Sequence, residues 1–549
     1  MARTVTLRPW QKAALERLTT STSPDFLAVA TPGAGKTTFA LTAARHALAE
    51  RGDRRLVVVV PTAHLKLQWA RAAAAFDLHL DPMWAAADGS LPGDMHGVVT
   101  TYQQVSSCAE VLRGLATDAF VIFDELHHAA DDRAWGDAVR TAFEPAARRL
   151  ALSGTPFRSD THSIPFVRYR LDEAEADFEY GYGDALADGG VVRPVYFPRI
   201  DGRMEWSAPD GSVHAHSFDD PLDAAKASQR LRTAYSLEGE WLPHVLRQAH
   251  EQLLAIRAGG QPDAGGLVIA TDQDHAKGIA RLLRDRFQVR AVVATSDDPG
   301  ASTIISRFAA SADPWIVAVR MVSEGVDIPR LRVGVFATTT TTELFFRQAV
   351  GRLVRWTRGV RGQKSFLYIP DEARLRARAF AIAEQRRHSL RHDDRVLGVL
   401  VDPTTFDEAP ADDLFSQFAP ISAVPLGDGS EPDWVLDDDG FFEPAAGLVD
   451  ELTIPLPPLP TGGVRGASAS DPPDGRTLRE RKEALREANA TRTRMIARHT
   501  GQTHAAVNAE LNRVSGVRKV SEATAEQLQK RLDKADAWLR QAAARRVAG

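Results

Sequence analysis

Short β-branched runs alternating with alanine-rich amphipathic stretches constrain this chain more than any other feature. Phe26–Ala30, Leu56–Val60, Gly97–Thr101, Ala119–Phe123 and Arg149–Leu152 read as buried strands, separated by helix-like stretches such as Thr37–Arg51 and Leu65–Phe76. Strands that alternate with helices form parallel βαβ units, whose sheets are covered on both faces. The alternation returns at Leu267–Ala270, Val289–Ala294, Trp315–Val319, Val333–Ala337 and Ser365–Ile369. The expected fold is α/β, with two tandem domains on parallel sheets. Asp210-Gly211, flanked by Arg203–Ser207 and Ser212–His216, predicts a hairpin between them, and Trp241–Ala258 a helix.

The 549 residues are too many for one core. The divisions expected are a first α/β domain over 1–160, an insertion over 161–258, a second α/β domain over 259–400, an acidic proline-rich linker over 401–475, and a basic helical module over 476–549. The net charge of −5 hides a strong asymmetry. Residues 401–475 carry 16 acidic side chains against Arg465 alone, or −15, so the rest of the chain carries +10. Residues 476–549 hold 17 basic and 8 acidic side chains, or +9. A basic body and tail suit a polyanion. The tail's Arg492-Thr-Arg494, Asn508, Arg513, Arg518-Lys519 and Trp538 fit either a nucleic-acid grip or a protein-docking module. A single cysteine, Cys108, excludes an internal disulfide framework and any four-cysteine metal site. With no run of eighteen apolar residues and no signal-peptide core at the start, the expectation is a soluble, cytoplasmic protein.

Two motifs carry chemistry. Ala30-Thr-Pro-Gly-Ala-Gly-Lys-Thr37 follows the first strand and opens a helix. In such a loop Gly33, Ala34 and Gly35 bring backbone amides to phosphates, Pro32, which has no N–H to donate, helps to shape the loop, and the helix N-terminus at Lys36, Thr37 and Thr38 favours the anion. Lys36 reaches the β- and γ-phosphates and Thr37 offers a hydroxyl to Mg²⁺. Val121-Ile-Phe-Asp-Glu-Leu-His-His128 then ends an apolar strand in two carboxylates, Asp124 for the metal and Glu125 to orient or deprotonate water.

At these residues the sequence resembles the superfamily 2 helicases and translocases of the DEAD/DEAH-box group, most of all the XPB-like and type III restriction-subunit branch. The resemblance runs from Leu7 to Ile369. It implies two RecA-like P-loop domains and an ATP hydrolase that uses ATP and Mg²⁺ to move along nucleic acid. Leu7-Arg-Pro-Trp-Gln11 resembles the adenine-reading element, with Gln11 on the base. Pro61-Thr-Ala-His-Leu-Lys-Leu-Gln-Trp69 and Thr100-Thr-Tyr-Gln103 resemble the backbone-gripping motifs Ia and Ib, which makes Thr62 and Thr101 phosphate contacts, with Thr271 their counterpart in the second domain. Asp124-Glu-Leu-His127 is a DExH form of motif II, and Leu152-Ser-Gly-Thr-Pro156 resembles the coupling motif III through Ser153 and Thr155. Met321-Val-Ser-Glu-Gly-Val-Asp-Ile-Pro329 resembles motif V, placing Gly325 and Asp327 at the nucleotide; Gln348-Ala-Val-Gly-Arg-Leu-Val-Arg355 resembles motif VI, with Gln348 and with Arg352 and Arg355 as arginine fingers. Alanine stands at position 30 where the strict loop pattern has glycine. The branch resembled favours DNA. The alternatives are an RNA helicase, or an ATP-gated clamp of restriction or phage-defence type that signals to a protein partner without unwinding.

Overall fold

The computed structural model describes residues 4–52, 54–88, 91–127, 133–154, 164–170, 173–208, 211–295, 300–319, 328–390, 419–426, 452–459 and 477–547. The chain forms two compact units, one of residues 1–28, 36–178 and 451–549, the other of residues 29–35 and 179–450.

In the first unit β1 (Thr4–Leu7) precedes α1 (Pro9–Thr20), β2 (Asp25–Ala30), α2 (Lys36–Glu50), β3 (Leu56–Val60), α3 (Ala63–Ala74), β4 (Leu80–Asp81), β5 (Gly97–Thr101), α4 (Tyr102–Ala116), β6 (Phe120–Asp124), α5 (Arg133–Phe143) and β7 (Arg148–Ser153). A small hairpin of β8 (Tyr169–Arg170) and β9 (Glu173–Ala174) leads to β10 (Phe178–Tyr180). The sheet runs β10-β2-β7-β6-β3-β5-β4, and β3 pairs in parallel with both β5 and β6. Every residue of β3 has zero exposure, so this strand has no solvent face and no tolerance for a polar side chain. Parallel strands finish at one end of the sheet, and their loops there carry the motif residues.

The second unit holds α6 (Tyr182–Ala187), β11 (Val195–Tyr196), β12 (Arg199–Ile200), β13 (Gly202–Ser207), β14 (Val213–Ser217), α7 (Ala224–Ala234) and α8 (Trp241–Ala258). There follow β15 (Gly265–Ala270), α9 (Gln273–Phe287), β16 (Ala291–Ala294), α10 (Ala301–Ala309), β17 (Trp315–Val319), β18 (Leu331–Ala337), α11 (Glu343–Leu353), β19 (Ser365–Pro370) and α12 (Ala373–Leu390). Its parallel sheet runs β11-β19-β18-β15-β17-β16, with β12 also on β19. The β13–β14 hairpin forms with Trp206 facing His214 across the strands. Trp206, Trp241 and Trp315 are fully buried in one cluster, so the hairpin, α8 and the parallel sheet share a single core. The Trp241 indole donates to the Asp201 carbonyl (3.2 Å) and that of Trp315 to His250 (3.2 Å), so neither buried N–H is orphaned.

The acidic segment contains strands that its composition did not signal. Its described parts are strands: β20 (Ala419–Pro425) adds to β13 as the third strand of an antiparallel sheet, and β21 (Leu452–Pro455) pairs with β1. The reason is local. Ala-Pro-Ile-Ser-Ala-Val-Pro and Leu-Thr-Ile-Pro carry no charge, whereas the acidic residues lie outside them. Trp434 and Phe441, apolar residues of the acidic segment, lie outside the described residues.

The basic tail folds as α13 (Leu478–Thr500), α14 (His504–Ser515) and α15 (Ala525–Val547). Thr477 and Glu480 form a capping box at the start of α13, and Gly501 and Gly516 close α13 and α14 in the left-handed region, both at φ 70°. Within the first unit the module is fixed by a buried ion pair, Lys482 Nζ to Asp94 Oδ1 at 2.6 Å. The other oxygen of Asp94 accepts from the Ala525 amide (2.8 Å) at the start of α15. Trp538 packs against the apolar cluster of Ile496, Val507 and Leu511. Its ring is half-buried there. Among the described residues no helix is long and apolar enough to cross a membrane.

Candidate functional site

The glycine-rich loop connects β2 to α2. Gly33 and Gly35 take φ values of 84° and 96°, which side chains with a Cβ rarely adopt, and the Ala34 amide closes the turn onto the Thr31 carbonyl (3.1 Å). Lys36 is the first residue of α2. Thr37 and Thr38 follow in the first helical turn, where amide donors lack intrahelical partners.

The carboxylates stand where β6 ends, one strand beyond β2 in the same sheet, with β7 between them. Asp124 is its last residue and accepts from the Trp69 indole at 2.8 Å; Tyr102 donates to the Asp124 carbonyl at 3.0 Å. Glu125 sits at φ 49°, an unusual conformation for a residue other than glycine. This turn brings its two oxygens to different partners: Oε1 accepts from Lys36 Nζ (3.2 Å) and Oε2 from the Gly154 amide (3.0 Å), with His127 Nδ1 at 3.6 Å. Burial pushes the Glu125 carboxyl up, but the Lys36 ammonium, His127 and the Gly154 amide together outweigh it and hold the pKa at about 2. One carboxylate thus joins the phosphate-loop lysine, motif II and the start of motif III. Ser153 ends β7 with zero exposure.

The threonines expected at nucleic acid occupy equivalent helix starts. Thr62 is the N-cap of α3 and makes no side-chain capping bond, while Thr101 caps α4 by accepting from the Gln104 amide (3.1 Å). Lys66 on α3 donates to Gln104 on α4 (3.1 Å), tying these two motifs together. Thr271 Oγ1 lies 2.9 Å from His275 Nδ1 and 3.0 Å from Asp272. Gln11 is buried, and its carboxamide oxygen accepts from the Arg8 amide (2.8 Å).

In the second unit Gln348 and Arg352 lie on α11, and Arg355 just beyond it bridges to Val192. The loop segment 29–35 belongs to this unit. Gly351 is required there, because a Cβ on it would stand 2.6 Å from the Pro32 ring; one on Gly33 would stand 3.8 Å from the Arg355 side chain. Arg193, fully buried, donates to the carbonyls of Pro329 (2.6 Å) and Arg355, and to the Thr357 hydroxyl (3.0 Å). It therefore braces the ends of motifs V and VI. Gly325, Asp327, Thr155 and His128 lie outside the described residues.

Sequence reasoning assigned no role to Trp69, Tyr102, Lys66 or Arg193. Trp69 and Lys66 stand inside motif Ia and Tyr102 inside motif Ib, so their positions were visible but their targets were not. Arg193 left no local signal, since its acceptors are more than 130 residues away.

A glycine-rich loop opening a helix, with a carboxylate pair at the end of another strand of the same parallel sheet, defines the class of P-loop nucleotide-binding α/β proteins. The chain belongs to one family with two mycobacterial proteins, and its N-terminal part matches the model of the restriction-enzyme res subunits. The family described as type III restriction enzyme, res subunit, matches residues 4–158. The uncharacterized protein MT2985 of Mycobacterium tuberculosis is 40% identical over 96% of this chain and 92% of its own length. ML1624 of Mycobacterium leprae, also uncharacterized, is 38% identical over 96% and 93%. Among solved structures, the type ISP restriction-modification enzyme LlaBIII bound to DNA shares 16% identity at a TM-score of 0.46, over 70% of this chain and 30% of that one.

Proposed function

We propose that this chain is an ATP-driven motor that moves along DNA. The observation that carries the reading is the Glu125 carboxylate, held between Lys36 of the phosphate loop and the Gly154 amide of motif III. Without nucleotide, Lys36 and Glu125 neutralise each other. Nucleotide phosphates at the loop compete for Lys36, and a lysine drawn to them leaves Glu125 without its chief cationic neighbour. Its pKa then rises from about 2, and the carboxylate becomes a better proton acceptor for water. The Gly154 amide retains the other oxygen, so the state of Glu125 is felt by the segment holding Ser153 and Thr155.

Thr37 and Asp124 are hard oxygen donors, and their small number fits Mg²⁺, which takes one or two carboxylates alongside substrate phosphates. The metal, when bound, neutralises charge on the β- and γ-phosphates. Arg352 and Arg355 stabilise the charge on the transferring phosphoryl group, with Gln348 and His127 orienting its surroundings. Gln11 reads the base; Gly325 and Asp327 serve the ribose side. Thr62, Thr101 and Thr271 contact phosphates of the track, which carry no sequence information, so binding is unspecific and salt-dependent. DNA as the track is supported by the res-subunit family.

The test is displacement of a third strand from a DNA triplex. ATP-dependent displacement by the wild type, lost in Glu125→Gln, is expected. Polymer-stimulated hydrolysis without displacement would overturn movement in favour of a gated clamp, and stimulation by RNA alone would overturn DNA.

A further inference from the structure

The helical module contains a cavity of about 200 Å³ lined by Arg486, Asn489, Arg494, His504, Asn508 and Arg531, with Ala490, Thr493 and Val520 completing the wall. No carboxylate lines it. Arg531 is 1% exposed, yet its guanidinium donates only to neutral amide oxygens: Asn512 (2.9 Å), Asn489 (2.8 Å) and Asn508 (2.6 Å). Among the described residues no acid pairs with it. A buried cation without a counter-ion is costly, and proteins normally supply one. This chain supplies one elsewhere in the same module, where Lys482 meets Asp94.

The remaining lining has the same sign. Arg486 uses one terminal nitrogen on the Ser521 carbonyl (2.9 Å), while its buried Nε has no hydrogen-bond partner. Arg494 is exposed at the rim and bonds only the neutral Thr491 hydroxyl (3.1 Å). His504 is the first residue of α14, so that helix presents its positive end to the cavity. By contrast Arg492 and Arg513, in the same helices, are paired with Asp536 (2.5 Å) and Glu510 (2.6 Å) and do not line it.

We infer that this cavity is an anion site that takes a backbone phosphate of a nucleic-acid strand. Three arginines without acidic partners converge on a space large enough for a phosphate group with its waters, and Arg531 is fixed in place by its three asparagines before any ligand arrives. The identity of the strand rests on the motor reading above; the preference for an anion does not. The site gives the chain a hold on nucleic acid separate from the motif threonines, one independent of the nucleotide.

The test is equilibrium binding of the nucleotide-free, full-length chain to a fluorescein-labelled single strand of about 20 nucleotides and to the matching duplex, from about 50 to 200 mM NaCl. Arg531→Ala is expected to unsettle the module, so the variant compared is Arg486→Ala with Arg494→Ala. Arg481→Ala with Arg498→Ala removes equal charge from α13 outside the cavity, and thermal melting checks the folding of both. The cavity pair should weaken single-strand binding about tenfold and lower its salt slope by about 0.7, the release expected for one phosphate contact. The control pair should change affinity less than about threefold. Equal effects of the two pairs, or no binding by the wild type, would overturn the site. Polymer-stimulated hydrolysis by a cavity variant that binds like its control would sink the cavity and leave the motor standing. Lost binding in a chain whose hydrolysis ignores every polymer would do the reverse.

Discussion

Two ionised groups in this molecule are held away from bulk water in opposite ways. Glu125 is surrounded by what an anion needs: an ammonium, an imidazole and a backbone N–H. Arg531 is surrounded by three amide oxygens and no anion. The first arrangement is electrostatically complete until a ligand competes for Lys36. The second is complete only when a ligand arrives. Both point to phosphate, one by displacement of an existing partner and the other by supplying a missing one.

The sharpest way to break this comparison is Glu125→Gln, which keeps the shape and removes the charge. Turnover should fall at least about 100-fold while labelled nucleotide still binds, since a general base contributes that much; a near-normal rate of phosphate release would reduce Glu125 to a counter-ion. Next is Asp94→Ala, which strands Lys482 in a site where both side chains are nearly inaccessible. It should cost about 3–5 kcal/mol in denaturant unfolding, the penalty for an orphaned buried charge. A loss below about 1 kcal/mol would mean that the module tolerates unpaired cations generally, and Arg531 would lose its distinction.

Acid provides a third probe. Burial, with His79, Arg45 and Arg55 nearby, lowers the His96 pKa to about 3, so between pH 6.5 and about 3 the unfolded chain takes a proton that the folded chain refuses. Stability should therefore fall with pH across that window, by about 2 kcal/mol from pH 6.5 to about 5, and His96→Asn should flatten the decline. Glu125 acts in a lower window: its contribution is full above 4.5 and lost as pH falls through about 2. The smallest effect expected is from Trp69→Phe, which removes one hydrogen bond to Asp124. Hydrolysis should slow about fivefold, or about 1 kcal/mol, with the Mg²⁺ requirement raised.

Much of this architecture was legible in the sequence because its signals are local. Leu56–Val60 could only be an interior strand, Gly33 and Gly35 could only be a tight loop, and the hairpin announced itself through Asp210-Gly211. The order of the motifs assigned Lys36, Asp124 and Glu125 to one site, and the structure pairs Lys36 with Glu125. What stayed hidden depends on partners distant in the chain. β20 and β21 are short, uncharged stretches inside a strongly acidic segment, and composition averaged over that segment masked them. The left-handed turn at Glu125, which decides where its oxygens point, has no residue-type signature. An aromatic among arginines such as Trp538 fits a surface grip and a helical core equally well, and only the packing shows it half-buried on the cluster of Ile496, Val507 and Leu511. Arg494 and Asn508 were conspicuous as residues, but the cavity they share with Arg531 needs three helices to exist.

The central claim is that nucleotide at the Lys36 loop and a nucleic-acid track act on one another through Glu125. Steady-state ATP hydrolysis by the wild type and by Lys36→Ala tests it most directly, without polymer and with single-stranded DNA, duplex DNA or RNA at one fixed salt concentration. Strong stimulation of the wild type by DNA, absent in Lys36→Ala, is expected. Hydrolysis by the wild type that is indifferent to every polymer would contradict it.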